Sequence, residues 1–310
     1  VPSLCLSGTF SLLSPVEKLY QLYDGVETFV LFIGYPRSSH SLVGAILDAH
    51  PEIIIPHEFN LLGHWESLQS QTASKKHMQK YSLFLKLQQL SMRQAVFGIR
   101  ANKNNTLLTG DYTYTYNVPG LWQGGYQHRI KVIGDKKGGE SSMILANPDR
   151  MKTLEEIAEV VQVPMKFIHV TRNPFDNIAT MTLRASGRRD AVREGDTKIN
   201  NTKSLDKSID FYFKLADANH RVRERYGEAV IDIPGHETVL RPRETIQKLC
   251  DHLGVTCSDD YLDKCSSIMY GAPSVTRNKV VWTEEQKMRV TQAIQIYPFL
   301  KDYAFDQYPE

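Results

Sequence analysis

A chain of 310 residues, 41% hydrophobic and 23% charged, is long enough to bury a sizeable core as one large domain or two small ones. Its net charge of +2 supplies no broad basic face and so excludes a nucleic-acid partner held by bulk charge; any anion has to be held by a locally built site. Cys5, Cys250, Cys257 and Cys265 are too few for a disulfide scaffold and lack metal-ligand spacing, but the last three cluster closely enough for one bridge.

In chain order, residues 1–26 read as a lead-in, and no apolar run approaches the ~18–20 residues that span a bilayer. The chain starts at Val1 rather than Met, so membrane attachment is expected only through an N-terminal segment ahead of it. Thr28 to Ile33 is a near-continuous apolar run ending at Gly34, the pattern of a strand buried on both faces. A helix is expected from Ser39, with Leu42, Val43, Ile46 and Leu47 on one stripe, ending near His50-Pro51. Ile53 to Ile55 is strand-like, and further strands are expected at Val96 to Arg100, Ile130 to Gly134, Met165 to Val170 and Ala229 to Ile233.

The helices between them carry their own punctuation. Thr153 with Glu156 predicts a capping box ahead of Leu154, Ile157, Ala158 and Val161. Leu205, Ile209, Tyr212 and Ala216 mark a longer amphipathic helix, and Pro242 and Gly254 bracket another. Strands alternating with helices, without a repeat or linker, predict a single α/β domain over residues 1–310: a P-loop NTPase-like parallel sheet flanked by helices on both faces. Residues 102–128 break the alternation as an aromatic-rich insertion with the character of a substrate loop. Tyr112, Tyr114, Tyr116 and Trp122 are its candidates for stacking on an acceptor. Asn104-Asn105-Thr106 and Asn200-Asn201-Thr202 carry the N-glycosylation pattern.

The densest chemistry lies at Gly34-Tyr35-Pro36-Arg37-Ser38-Ser39-His40-Ser41, between the first strand and its helix. Gly34 and Ser41 fall on their places in the phosphate-loop pattern, with Ser39 at the second glycine and His40 at the lysine. Such a loop presents backbone N–H groups at a helix N-terminus; Ser38, Ser39 and Ser41 add hydroxyls and Arg37 a two-pronged cation. The loop resembles the 5′-phosphosulfate loop of sulfotransferases that use 3′-phosphoadenosine-5′-phosphosulfate (PAPS). The continuation Leu47-Asp48-Ala49-His50-Pro51, then Glu58, is similar to the Golgi carbohydrate and protein-tyrosine members. It departs from them at Ser39 and His40, where Gly and Thr are usual. Because Gly tolerates positive φ, Ser39 is expected to reshape the loop slightly.

A second segment, Phe167 to Pro174, runs from a strand into a helix and resembles the family's 3′-phosphate motif, with Arg172 ending the strand and Thr180 supplying the later hydroxyl. Ser274-Val275-Thr276-Arg277-Asn278 resembles the late basic loop that closes over the nucleotide, with Arg277 as its contact. The resemblance implies PAPS as donor, PAP as product and no required metal, with a carbohydrate, small-molecule or peptide acceptor. It also implies the Golgi lumen or secretory pathway rather than the cytoplasm. It makes Glu58 the general base, with His57 the alternative if the chemistry follows the cytosolic enzymes; strand alternation would point the two to opposite faces. Arg37 would stabilise the departing phosphate. Lys136, in Asp135-Lys136-Lys137-Gly138, resembles the lysine facing the transferred group, with Lys137 and Gly138 replacing the usual small-Pro pair. Two rivals remain at this point: a catalytically silent PAPS- or PAP-binding protein, and a P-loop small-molecule kinase.

Overall fold

The structure is a computed structural model that describes residues 21–72, 76–97, 116–187, 198–269 and 271–307. Strand β1 (Thr28–Gly34) is buried along its whole length, and its side chains divide between two cores. Phe29, Leu31 and Ile33 enter one core; Val30 and Phe32 enter the other. Helices therefore cover both faces of the sheet, as the unbroken apolar run requires.

From β1 the chain enters helix α1 (His40–Asp48), with Leu42, Val43, Ile46 and Leu47 buried, and then the short strand β2 (Ile53–Ile54). Helices α2 (Leu61–Thr72) and α3 (Lys76–Val96) follow. Val96 closes α3, with Phe97 still donating to the Arg93 carbonyl, so no strand begins at Val96; residues 98–100 lie outside the described residues. Strand β3 (Val132–Asp135) leads to α4 (Gly138–Leu145) and α5 (Met151–Val161), then β4 (Met165–Thr171), α6 (Pro174–Ala185) and α7 (Thr202–Tyr226). Strand β5 (Val230–Pro234), α8 (Gly235–Leu240), α9 (Pro242–Leu253), α10 (Asp259–Ser266) and α11 (Glu284–Ile294) complete the order.

The sheet is parallel throughout, in the order β2-β3-β1-β4-β5. After β1 the chain crosses to one face, where α1 packs with α9 and α10; after β3 it crosses to the other, where Leu145 of α4 joins α3, α5 and α7. The C-terminal ends of β1 and β3 thus flank the crevice where open α/β sheets bind ligands. A third core beyond those ends joins Tyr35, Phe175, α7, α11 and Tyr303.

Two local expectations resolve differently. Thr153 and Glu156 form no capping box: α5 has already begun at Met151, led in by a turn whose Asn147 side chain accepts from Asp149 N, and Thr153 is buried inside the helix. Pro242 and Gly254 do bracket α9, and Gly254 takes the left-handed conformation at φ 74°. Among the described cysteines Cys250 and Cys257 form a bridge and Cys265 is a buried free thiol; Cys5 lies outside the described residues.

Candidate active site

The loop after β1 is held from below. Gly34 N donates to Ser142 Oγ at 2.8 Å, Ser142 Oγ donates to Asn219 Oδ1 at 2.5 Å, and Asn177 Nδ2 donates to the Pro36 carbonyl at 2.8 Å. Tyr35 stacks on Tyr212 with ring centroids 4.2 Å apart. Ser39, the N-cap of α1, adopts φ 74°, as does Arg37. The Ser at the glycine position therefore takes up the left-handed backbone directly, at some strain, and leaves its side chain and that of Arg37 exposed. Ser38 turns the other way: fully buried, its hydroxyl lies 2.9 Å from the Tyr35 carbonyl and 3.1 Å from His40 Nδ1. Ser38 braces the loop, and Arg37, Ser39 and Ser41 form its outer side. Burial, reinforced by the Lys136 charge, pushes His40 down to about 3, so this ring is neutral at ordinary pH and supplies no cation at the lysine position.

That cation comes from another strand. Lys136, one residue past β3, is 1% exposed and places Nζ 3.1 Å from Ser41 Oγ and 3.3 Å from Glu58 Oε1. Its stem passes across Gly44 of α1, where a Cβ would lie 2.6 Å from Lys136 Cγ. Burial lowers Lys136 to about 8 against the opposing pull of Glu58. Lys137 reaches the same carboxylate, 3.0 Å from Oε2, and also lies 2.9 Å from Glu140 Oε2. Both lysines thus point inward, with different second partners.

Glu58 sits just past β2, where His57 bridges to Lys136 and Glu58 N donates to the Lys136 carbonyl at 3.0 Å. Its φ of 59° ends the strand alternation, and this corrects the expectation of opposite faces: His57 Nε2 comes to 3.8 Å from Glu58 Oε1. Burial works to raise the Glu58 carboxyl, but Lys136, His57 and Lys137 together hold it well below the usual carboxylate range. The segment is pinned on both sides. Gln94 of α3 exchanges two 2.7 Å bonds with the His57 backbone. Asp135 accepts from Phe59 N and Leu61 N, and burial still pushes its carboxyl up to about 6.

At the end of β4, Arg172 Nη1 donates to Thr180 Oγ1 at 3.1 Å, eight residues on, and to the Arg37 carbonyl at 3.2 Å. Its Nη2 donates to the Ser274 carbonyl at 2.8 Å and to Thr276 Oγ1 at 3.1 Å. The two arginines therefore belong to one crevice, on the neighbouring strands β1 and β4. Residues 274–276 do close over Arg172, but Arg277 faces inward. It is 4% exposed, its Nε lies 3.1 Å from Asp176 Oδ1, and Nη1 donates to the Ala304 carbonyl. Its carbonyl accepts from Trp282 Nε1 at 3.0 Å. In this segment Thr276 is the residue whose side chain touches Arg172 and Thr180; the segment is legible in the sequence, but the inward turn comes from the buried Asp176, whose Oδ1 also accepts both backbone N–H groups of Thr276 and Arg277.

The aromatic candidates separate. Tyr112 and Tyr114 lie outside the described residues. Tyr116 is half-buried, its carbonyl accepting from Gln123 Nε2 at 2.9 Å, and Trp122 is 62% exposed. Their loop is fastened to α1 by Gly124 N, which donates to Asp48 Oδ2, and by Gln123 Nε2, which donates to the Ala45 carbonyl.

A family model described as "Sulfotransferase family" matches residues 30–259, which span the loop, Glu58, Lys136 and Arg172. No curated protein matches the chain significantly. Among solved structures, the sulfotransferase domain of the olefin synthase of Synechococcus PCC 7002 is similar at 14% identity and TM-score 0.49, covering 86% of this chain and 93% of that one. A sulfotransferase of Mycobacterium avium is similar at 12% identity and TM-score 0.46, covering 91% and 79%. A mouse sulfotransferase complexed with PAP is similar at 12% identity and TM-score 0.43, covering 90% and 89%.

Proposed function

This chain belongs to the sulfotransferase family, and from that premise we propose that it takes its sulfuryl group from PAPS and passes it to a hydroxyl or amine of a carbohydrate, small-molecule or peptide acceptor. The observation that carries the donor assignment is the Arg172 guanidinium, which joins the Thr180 hydroxyl to the Arg37 carbonyl and so makes one crevice of two anion-binding ends. Donors at both ends suit a nucleotide with a phosphosulfate at one extremity and a 3′-phosphate at the other.

In the transfer, Glu58 accepts the proton of the acceptor O–H or N–H as the freed lone pair forms the new bond to sulfur. The bond from sulfur to the 5′-phosphate oxygen breaks in line, its electrons remain on that oxygen, and PAP departs. Arg37, Lys136 and the loop N–H groups stabilise the charge left behind, and positioning supplies most of the remaining acceleration. A sulfuryl group carries less negative charge than a phosphoryl group, so these cations serve without a required metal. His57 is the neighbouring alternative for the base. The Cys250–Cys257 bridge supports an oxidising compartment, consistent with a secretory route.

Titration with PAP, followed by a labelled-PAPS screen across sugars, peptides, amines and alcohols, tests the reading. The folded protein is expected to bind PAP and to label at least one acceptor class. Glu58→Ala is expected to lose about 10²- to 10⁴-fold in rate without losing PAP affinity. A folded protein that ignores PAP refutes the donor assignment; binding without transfer to any acceptor favours the silent nucleotide binder.

A further inference from the structure

A carboxylate meant to take a proton gains nothing from neighbouring ammonium groups, since each one lowers its proton affinity. Glu58 nonetheless has a lysine on each oxygen, Lys136 at 3.3 Å and Lys137 at 3.0 Å, with His57 Nε2 at 3.8 Å. The two lysines differ in their other commitments. Lys136 also touches Ser41, in the first turn of the helix behind the phosphate loop, and its stem is fixed in the Gly44 notch. Lys137 is shared with Glu140, at 2.9 Å. An anion seated on the loop competes directly for Lys136 and has no equal hold on Lys137.

Building on the donor reading above, we propose that Lys136 is a latch shared between the base and the phosphate loop: the 5′ anion of the nucleotide draws it from Glu58, which frees the carboxylate only once the donor is in place. Lys137, balanced by Glu140, keeps Glu58 aimed into the site throughout. Binding is then ordered, donor before productive acceptor. The protein's own carboxylate and the nucleotide's anion compete for one cation, so whatever Glu58 takes from Lys136 is withheld from the nucleotide. Reciprocity makes this measurable by affinity alone.

The experiment is calorimetric titration of PAP into the wild type, Glu58→Gln, Lys136→Ala and the double variant, each first shown to be folded by thermal melting. Glu58→Gln is expected to bind PAP about 5- to 20-fold more tightly than the wild type. Lys136→Ala is expected to bind more weakly, and in its background Glu58→Gln is expected to give little further gain, which marks the two residues as coupled. Glu58→Ala serves in place of Glu58→Gln if the latter melts early, with the same expected gain. Equal affinity of the wild type and Glu58→Gln, or the same gain with and without Lys136, overturns the latch and leaves the donor reading standing. A folded wild type that binds no PAP overturns the donor reading, and the latch falls with it.

Discussion

Arg172 makes at least four donor contacts with one side chain, and a planar fork is suited to reach them all. Arg172→Ala is therefore expected to cost about 10- to 100-fold in PAP affinity, the loss of one or two charge-assisted bonds. Affinity for adenosine 5′-monophosphate, which lacks the 3′-phosphate, is expected to change little; paired titrations read both. His40 sets a second expectation. Its folded-state value of about 3 lies below the 6.5 of a free ring, and burial depresses His252 to about 4 and lowers His50 and His236 too. Between those values the unfolded chain binds more protons, so stability is lost as pH falls from about 6.5 toward 3. Asp135, raised from 3.8 to about 6, works in the opposite sense over part of that range, as one group against four. Melting temperatures are expected to fall from pH 7 to pH 4, and His40→Gln to lessen the fall. Arg37, Glu58, Arg172 and Thr180 are legible as candidate site residues because each sits at a fixed offset from a strand end or a motif residue. The left-handed turn at Glu58 and the inward course of Arg277 are not, since each depends on groups remote in sequence: the Lys136 backbone for one, Asp176 for the other.

Strand β1 is legible for a simple reason: a run with apolar neighbours on both faces shows no alternation, and few other elements look like it. Helices α2 and α3 are harder to read, since Leu61, Leu62 and Trp65, and then Leu83, Phe84 and Leu87, are scattered among many Gln, Ser and Lys residues. The caps show the same division. Thr283 and Gln286 form the reciprocal box that the spacing promises, whereas Thr153 and Glu156 have the spacing and lack the position. At the head of α1 the sequence pays a conformational penalty, with Ser39 at φ 74° and no side-chain cap. Ser39→Gly is expected to stabilise the protein by about 1 kcal/mol, measured by urea unfolding, because glycine enters the left-handed region without that cost.

Across the whole molecule, the Cys250–Cys257 bridge fastens the end of α9 to the segment before α10, with the partners seven residues apart. Its reduction is expected to cost about 2 kcal/mol on the chain-entropy account, read from urea unfolding with and without a reductant. PAP affinity is expected to survive, because the crevice lies at the other strand ends. The division of the chain into sheet and two covering layers follows from the apolar pattern; the third core, with residues 299–305 packed back onto α6 and Arg277, does not, because no local pattern encodes it. That third core contains Trp282, nearly buried between Phe175 and Phe305 and bonded to the carbonyl of Arg277. Of the three tryptophans it alone adjoins the strap over Arg172, while Trp65 lies under α3 and Trp122 in open solvent. The protein thus carries a built-in fluorophore beside that segment: if PAP seats against Arg172, Trp282 emission is expected to shift on adding PAP to the Trp65→Phe, Trp122→Phe variant, with no dye and no acceptor in the cuvette.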